Sequence, residues 1–150
     1  IDGQVKVIKN DKNLYWSAAC NKGAKAADKN SKYIIFMHCD IVITNPAWLD
    51  LLLNVAESSA SGFIGLSTQT YTVGGQDVAF LSDYLIMMSK ECYDDLGGWP
   101  EELPQIGPSF VLTLKANSRG FKPQIMQTPI LHHYKIFSLS ISDYERLQEE

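Results

Sequence analysis

Tyr33-Ile34-Ile35-Phe36-Met37-His38-Cys39-Asp40 is the stretch on which the fold turns. Its first five residues are apolar, with aromatic and β-branched side chains prominent. A run this short and this apolar fits a strand buried on both faces, as in a parallel sheet. His38-Cys39-Asp40 then interrupts it with polar groups. A carboxylate directly after a buried strand is costly to place unless it is exposed or paired. In open α/β sheets ligands bind beyond the carboxyl ends of the strands, so Asp40 marks the expected functional edge. A carboxylate there can hold a divalent cation, and Mg²⁺ in particular is often held by one or two carboxylates plus substrate phosphates. The plainer alternative is that Asp40 merely starts a turn, and the triplet alone leaves both open.

Upstream, Val5-Lys6-Val7-Ile8 reads as a short strand and Asn10 to Asn13 as a polar turn. Asn13 is placed to cap a helix from about Leu14 to Ala27, where Trp16, Ala19, Cys20, Gly23 and Ala27 fall at helical spacing. Downstream, Ile41-Val42-Ile43 resumes the extended pattern, and Asn45-Pro46 opens a helix from Ala47 to Glu57. Trp48, Leu49, Leu52, Leu53 and Ala56 form its expected buried side. Phe63 to Leu66 reads as a strand, Thr68 to Asp77 as a Gly-containing polar loop, and Phe80 to Met88 as a further strand. Ser89 caps a short helix to Leu96, which Gly97-Gly98-Trp99-Pro100 breaks. Phe110 to Ser118 looks helical and Gly120 stops it. Ile125-Met126 and Ile130-Leu131 are short strands, and Ser142 to Glu150 is a polar helix or a frayed tail. The alternation of strand and helix predicts βαβ units and a mostly parallel sheet flanked by helices, in one domain spanning 1–150.

Composition narrows the function classes. A chain of 150 residues with 45% hydrophobic and 20% charged residues suits one globular core. A formal net charge of −4 argues against a broad nucleic-acid-binding face. No apolar run is long enough to span a bilayer. Cys20, Cys39 and Cys92 make no CxxC pair or disulfide framework, which favours a reducing, cytoplasmic setting. The start, Ile1-Asp2-Gly3, is neither an initiator Met nor a signal peptide, which leaves open that the chain is an excerpt of something longer.

Asn13-Leu14-Tyr15-Trp16-Ser17-Ala18-Ala19-Cys20-Asn21-Lys22-Gly23 resembles the N-x-G-x-x-x-A-x-N-x-G helix start of the family 2 glycosyltransferases, with Tyr15 in place of the first Gly. The strand from Ile34 to Asp40 and the segment Asn45-Pro46-Ala47-Trp48-Leu49 follow in the family's order. Leu85 to Glu101 is similar to its strand, helix and L-G-G-F-D-E turn, and Lys115, Gly120-Phe121 and His132-His133 resemble its closing pattern. The resemblance implies a GT-A-like (Rossmann-like) fold and metal-dependent transfer of a sugar, with inversion, from a nucleotide-sugar donor to a glycan or other hydroxyl acceptor. The donor would be UDP-, GDP- or dTDP-linked, and the cofactor Mg²⁺ or Mn²⁺. By the same resemblance Asp40 binds the cation and His132 or His133 completes its site. The two His alternate on a strand, so at most one reaches the ion. Asn21, Lys22 and His38 match positions near the nucleotide sugar.

Three departures accompany the resemblance. His38 stands where the first acid of D-x-D is expected. The family's general base falls at Pro108-Ser109, where neither residue is a carboxylate, so Glu101, Glu102 and Asp83 become stand-ins. The amino-terminal segment that holds the base and ribose is expected before Val5 and is missing, so the domain reads as truncated there. Two alternatives follow: a catalytically degenerate relative that binds a nucleotide sugar or a protein, and a metal-dependent hydrolase with Zn²⁺ on His38, Asp40 and His132 or His133.

Overall fold

The computed structural model describes residues 5–59, 61–103 and 107–133. In chain order come α1 (Tyr15–Ala26), β1 (Tyr33–Met37), β2 (Ile41–Ile43), α2 (Trp48–Ser59), β3 (Phe63–Gly65), β4 (Thr68–Val73), β5 (Gln76–Leu81) and β6 (Leu85–Ser89). α3 (Lys90–Leu96), α4 (Pro108–Ser118), β7 (Gln124–Ile125) and β8 (Leu131–His133) complete them.

The central sheet has the order β1-β6-β3-β7. β6 runs antiparallel to both β1 and β3, while β3 and β7 are parallel. The sheet is therefore mixed, which corrects the expectation of a mostly parallel one. The reason lies in the stretch read as one strand from Phe80 to Met88. Phe80 and Leu81 end β5, Ser82 to Tyr84 turn the chain, and only Leu85 to Ser89 enter the sheet. β6 thus arrives from a hairpin and not from a helical crossover, and only a crossover would demand a parallel neighbour.

Alternation along the strands sends side chains to two cores. Ile34, Phe36, Phe63, Ile86 and Met88 meet Cys92, Tyr93, Leu96, Trp99, Leu112 and Ala116 on one face. Ile64, Leu85 and Met87 meet Leu52 and Ala56 of α2 on the other, together with Met126 and Ile130. Helices therefore cover both faces, as the apolar run of β1 required.

Local signals explain most boundaries. Asn13 Oδ1 accepts from the Tyr15 N–H at 2.9 Å, but the N-cap of α1 is Leu14, so Asn13 closes the turn before the helix and does not cap it as expected. Tyr15, at the position of the family glycine, has φ 55°, the left-handed conformation that glycine adopts freely. Ser89 Oγ accepts from Cys92 N, and Gly97 ends α3 at φ 78°.

Two expectations fail outright. Val5 to Ile8 forms no strand, and Val5 and Val7 are 88% and 75% exposed. A strand needs a ladder partner, and among the described residues this segment has none. Thr68 to Asp77 is not a loop. It supplies β4 and the start of β5, paired antiparallel from Thr68↔Leu81 to Val73↔Gln76. Gly74 and Gly75 form its two-residue turn at φ 59° and 81°, the positive values that such hairpin turns require. Tyr71 packs on Phe80 and on Phe110 of α4, with ring centroids 4.6 and 5.3 Å apart, which seats the hairpin on the domain. The segment Ser142 to Glu150 lies outside the described residues. No helix among the described residues is long and apolar enough to cross a membrane.

The hairpin makes a testable demand. Gly75→Val places a β-branched residue at positive φ and should lower stability by about 1–2 kcal/mol in urea denaturation. In an unstructured loop the same change would be neutral.

Candidate metal centre

The pairing of β1 with β6 puts Met37 opposite Leu85. The ladder continues one step further, with the His38 N–H donating to the Tyr84 carbonyl at 2.9 Å. His38 therefore shares a face with Ile34 and Phe36 and lies beside Asp83. A second pairing puts Ile41 of β2 opposite His133 of β8, which carries His133 to the neighbouring Asp40. Two ladders from distant parts of the chain thus converge on the end of β1.

The result is a compact donor cluster. His133 Nε2 is 3.3 Å from Asp40 Oδ1, and His38 Nδ1 is 3.9 Å from the same oxygen. His38, Asp40 and His133 each offer a ligand atom within 4.8 Å of the others. Ligands about 2.1 Å from one cation stand roughly 3.0–3.4 Å apart in octahedral or tetrahedral sites, so His133 and Asp40 already stand at ligand spacing and His38 lies farther out. Three protein donors leave further positions for a ligand. The Asp40 side chain is only 10% exposed, far from the free carboxylate of a plain surface turn.

Aromatic rings hold the imidazoles. Trp16 of α1 meets His38 edge-on at 4.5 Å, and Tyr84 stacks on His133 at 4.7 Å and 22°. Burial pulls the His38 pKa below its ordinary 6.5, against the opposing pull of Asp83 and Asp40, while His133 adds to the lowering. A neutral imidazole is the form that binds metal.

His132 takes the other side of β8. It is exposed, opposite the half-exposed Val42, and stands outside the cluster. Of the two histidines, His133 lies in the donor cluster with Asp40 and His132 does not. Asp83, first considered as a stand-in base, has its Oδ1 3.8 Å from His38 Nε2, on the far side of the ring from Asp40. Ser109, at the position of the family base, is buried in the first turn of α4. Glu101 is exposed and accepts from Asn21 Nδ2 at 2.8 Å.

Asn21 and Lys22 are not brought to the cluster's donor set. The buried Asn21 amide donates to the Trp99 carbonyl and to Glu101, and accepts from Tyr93 Oη and from the Trp99 N–H. Its hydrogen-bonding capacity is thereby used within the protein. Lys22 Nζ donates to the Lys9 carbonyl and to Asn10 Oδ1, which fastens the preceding turn to α1. Sequence reasoning missed Trp16 and Tyr84 as walls of the site. Trp16 carried a helical-core signal, and Tyr84 would have been found only by placing the end of the strand at Leu85.

With this geometry in hand, comparison supplies the family. The model of glycosyl transferase family 2 matches residues 1–101. The chain belongs to the family 2 glycosyltransferases. The match takes in His38, Asp40 and Asp83. His133 lies beyond it and reaches Asp40 through the β2–β8 pairing. No curated protein matches the chain.

Two outcomes follow. Asn21→Ala strands the Tyr93 hydroxyl and both Trp99 backbone groups, and should cost about 3 kcal/mol in urea denaturation. Lys22→Ala should change stability by less than about 0.5 kcal/mol. A pH series reads His38. Unfolded His38 takes up a proton that the folded ring, flanked by Trp16, His133, Asp40 and Asp83, resists. This contribution to stability is present above pH 6.5 and is lost as pH falls through the lower folded value. His38→Asn should flatten that part of the stability profile.

Proposed function

We propose that this family 2 chain is a GT-A-like domain over 1–150 that binds a nucleotide sugar through a divalent cation and transfers the sugar with inversion. The observation that carries the reading is the convergence of His38, Asp40 and His133 at the carboxyl end of β1 in a family 2 chain. An α/β sandwich with one antiparallel strand among parallel ones is compatible with a GT-A-like arrangement. Asp40 and His133 would hold the cation, Mg²⁺ or Mn²⁺, and His38 would add a third donor. Such an ion, when bound, offsets the charge of a diphosphate leaving group. The donor is then a UDP-, GDP- or dTDP-linked sugar and the acceptor a hydroxyl of a glycan or other molecule.

One observation favours a second reading, a relative that binds the nucleotide sugar without turnover. Inverting transfer needs a base for the acceptor hydroxyl, and Ser109 is both buried and a poor base. Asp83, a quarter exposed, is the carboxylate nearest the cluster that could replace it. The hydrolase alternative uses the same three ligands, but the family match does not favour it.

Isothermal titration of the chain with UDP- and GDP-sugars tests the leading reading. Binding should require Mn²⁺ or Mg²⁺ and fall at least ~10-fold in Asp40→Asn and in His133→Ala. His132→Ala should stay within about twofold, because its ring is not one of the proposed ligands. Ion-independent binding, or equal losses in His132→Ala and His133→Ala, would count against it. Sugar transfer that disappears in Asp40→Asn selects the enzyme over the binding relative.

A further inference from the structure

The His38 ring lies between two carboxylates, one at each nitrogen. Nδ1 faces Asp40 Oδ1 at 3.9 Å, on the side of His133. Nε2 faces Asp83 Oδ1 at 3.8 Å. The antiparallel entry of β6 produces this arrangement, because Asp83 and Tyr84 precede Leu85 and the Tyr84 carbonyl accepts from the His38 N–H. Trp16, edge-on at 4.5 Å, closes another side of the ring.

We infer that Asp83 is a positioning residue that keeps the proton of His38 on Nε2, so that Nδ1 joins Asp40 and His133 as a ligand in a nitrogen-rich site selective for transition ions over Mg²⁺. The inference rests on the metal reading above and deepens it. A ligating imidazole characteristically donates its other N–H to a carboxylate, carbonyl or water, which fixes tautomer and orientation. The 3.8 Å separation exceeds a hydrogen bond. Closing it takes a side-chain rotation of Asp83, which is a quarter exposed and free of the ion-binding side of the ring.

Selectivity follows from the donor set. Mg²⁺ is a hard ion that keeps oxygen ligands and near-ideal octahedral geometry. Imidazole suits Zn²⁺ and other first-row transition ions, with affinity rising from Mn²⁺ through Co²⁺. Two imidazole nitrogens and one carboxylate oxygen therefore select against Mg²⁺. The substitution that decides this is His38, in the place where an oxygen donor is expected. Its cost is that a His ligand must be oriented and held in one tautomer, and Asp83 stands where that can be done.

Two measurements on the full chain test the inference near pH 8. The first is titration with Zn²⁺, Co²⁺, Mn²⁺ and Mg²⁺, each alone, followed by calorimetry and by Trp fluorescence. Wild type should bind the transition ions at least ~10-fold more tightly than Mg²⁺. Asp83→Ala should weaken Mn²⁺ binding about 10-fold. The second is the long-range ¹H–¹⁵N spectrum of the imidazoles in ion-free protein, with the His38 signals assigned through His38→Asn. It should show Nε2–H in wild type and a mixed or reversed tautomer in Asp83→Ala, a change that merely structural damage would not specifically produce. Circular dichroism of the variant checks that it folds, and Asp83→Glu should restore the wild-type tautomer if the variant loses it. Equal affinity for Mg²⁺ and Mn²⁺ overturns the inference and leaves the metal reading standing. So does an Asp83→Ala protein with unchanged ion affinity and tautomer. A wild-type chain that binds none of the four ions removes the metal reading, and this inference with it.

Discussion

The His38 amide donates to the Tyr84 carbonyl at 2.9 Å, one step past the end of the β1–β6 ladder, and the whole site hangs on that extension. His38 is half-buried, and an amide turned away from water needs an acceptor, so the pairing cannot be given up cheaply. Once made, it fixes where β1 ends and on which face His38 lies. It also brings the Asp83–Tyr84 turn alongside. The β2–β8 ladder, with Ile41 opposite His133, then delivers the last donor. Neither ladder alone assembles the cluster. The turn into β6 supplies the carboxylate behind His38, and β8 supplies the imidazole beside Asp40.

A second constraint holds the helical side. Asn21 of α1 joins Tyr93 of α3 to both backbone groups of Trp99. A Cβ on Gly98 would stand 2.7 Å from Asn21 Oδ1, so the side chain needs a residue without one. The knot keeps Trp99 in the core against Trp16, with ring centroids 5.5 Å apart, and Trp16 in turn meets His38. The buried indole N–H groups of Trp16 and Trp99 have no hydrogen-bond partner among the described residues, so packing there holds these rings. Asn21 thus influences the site from a distance, through the wall that fixes His38. A polar residue of the family's helix pattern acts here as a fastening between α1 and the Gly-Gly turn.

Much of this was legible in the sequence where local chemistry is decisive. The apolar run of β1, the Ser89 cap and the glycine stop after α3 each carry their own signal, and each forms the element expected, although β1 pairs antiparallel and not parallel. Thr68 to Asp77 misled because its polar composition outweighed the Gly74-Gly75 pair, which is the stronger indication of a hairpin. The direction of β6 was illegible for a related reason. With β4 read as loop and the end of β5 merged with β6 into one strand, nothing hinted that the chain returned to the sheet from a hairpin. Pairings between distant strands are not written in either strand, so His133 was reachable only as one of two alternatives. The family match adds the kind of chemistry and adds none of these contacts.

The cluster also bears on how binding and catalysis divide. Gripping a cation takes the three donors gathered at the end of β1. Transfer takes one carboxylate more, uncommitted and able to reach an acceptor hydroxyl. Asp40 is shared between two imidazoles, Glu101 is bonded to the Asn21 amide, and Asp83 faces His38 Nε2. If Asp83 serves as the base, it has to leave the ring that it would orient. If it stays, Ser109 offers no replacement, since it is buried in α4. Orientation of His38 and proton abstraction are therefore competing demands on one side chain. Asp40 and His133 keep their places in the cluster whichever demand prevails, so the proposed cation site depends less on Asp83 than the proposed turnover does.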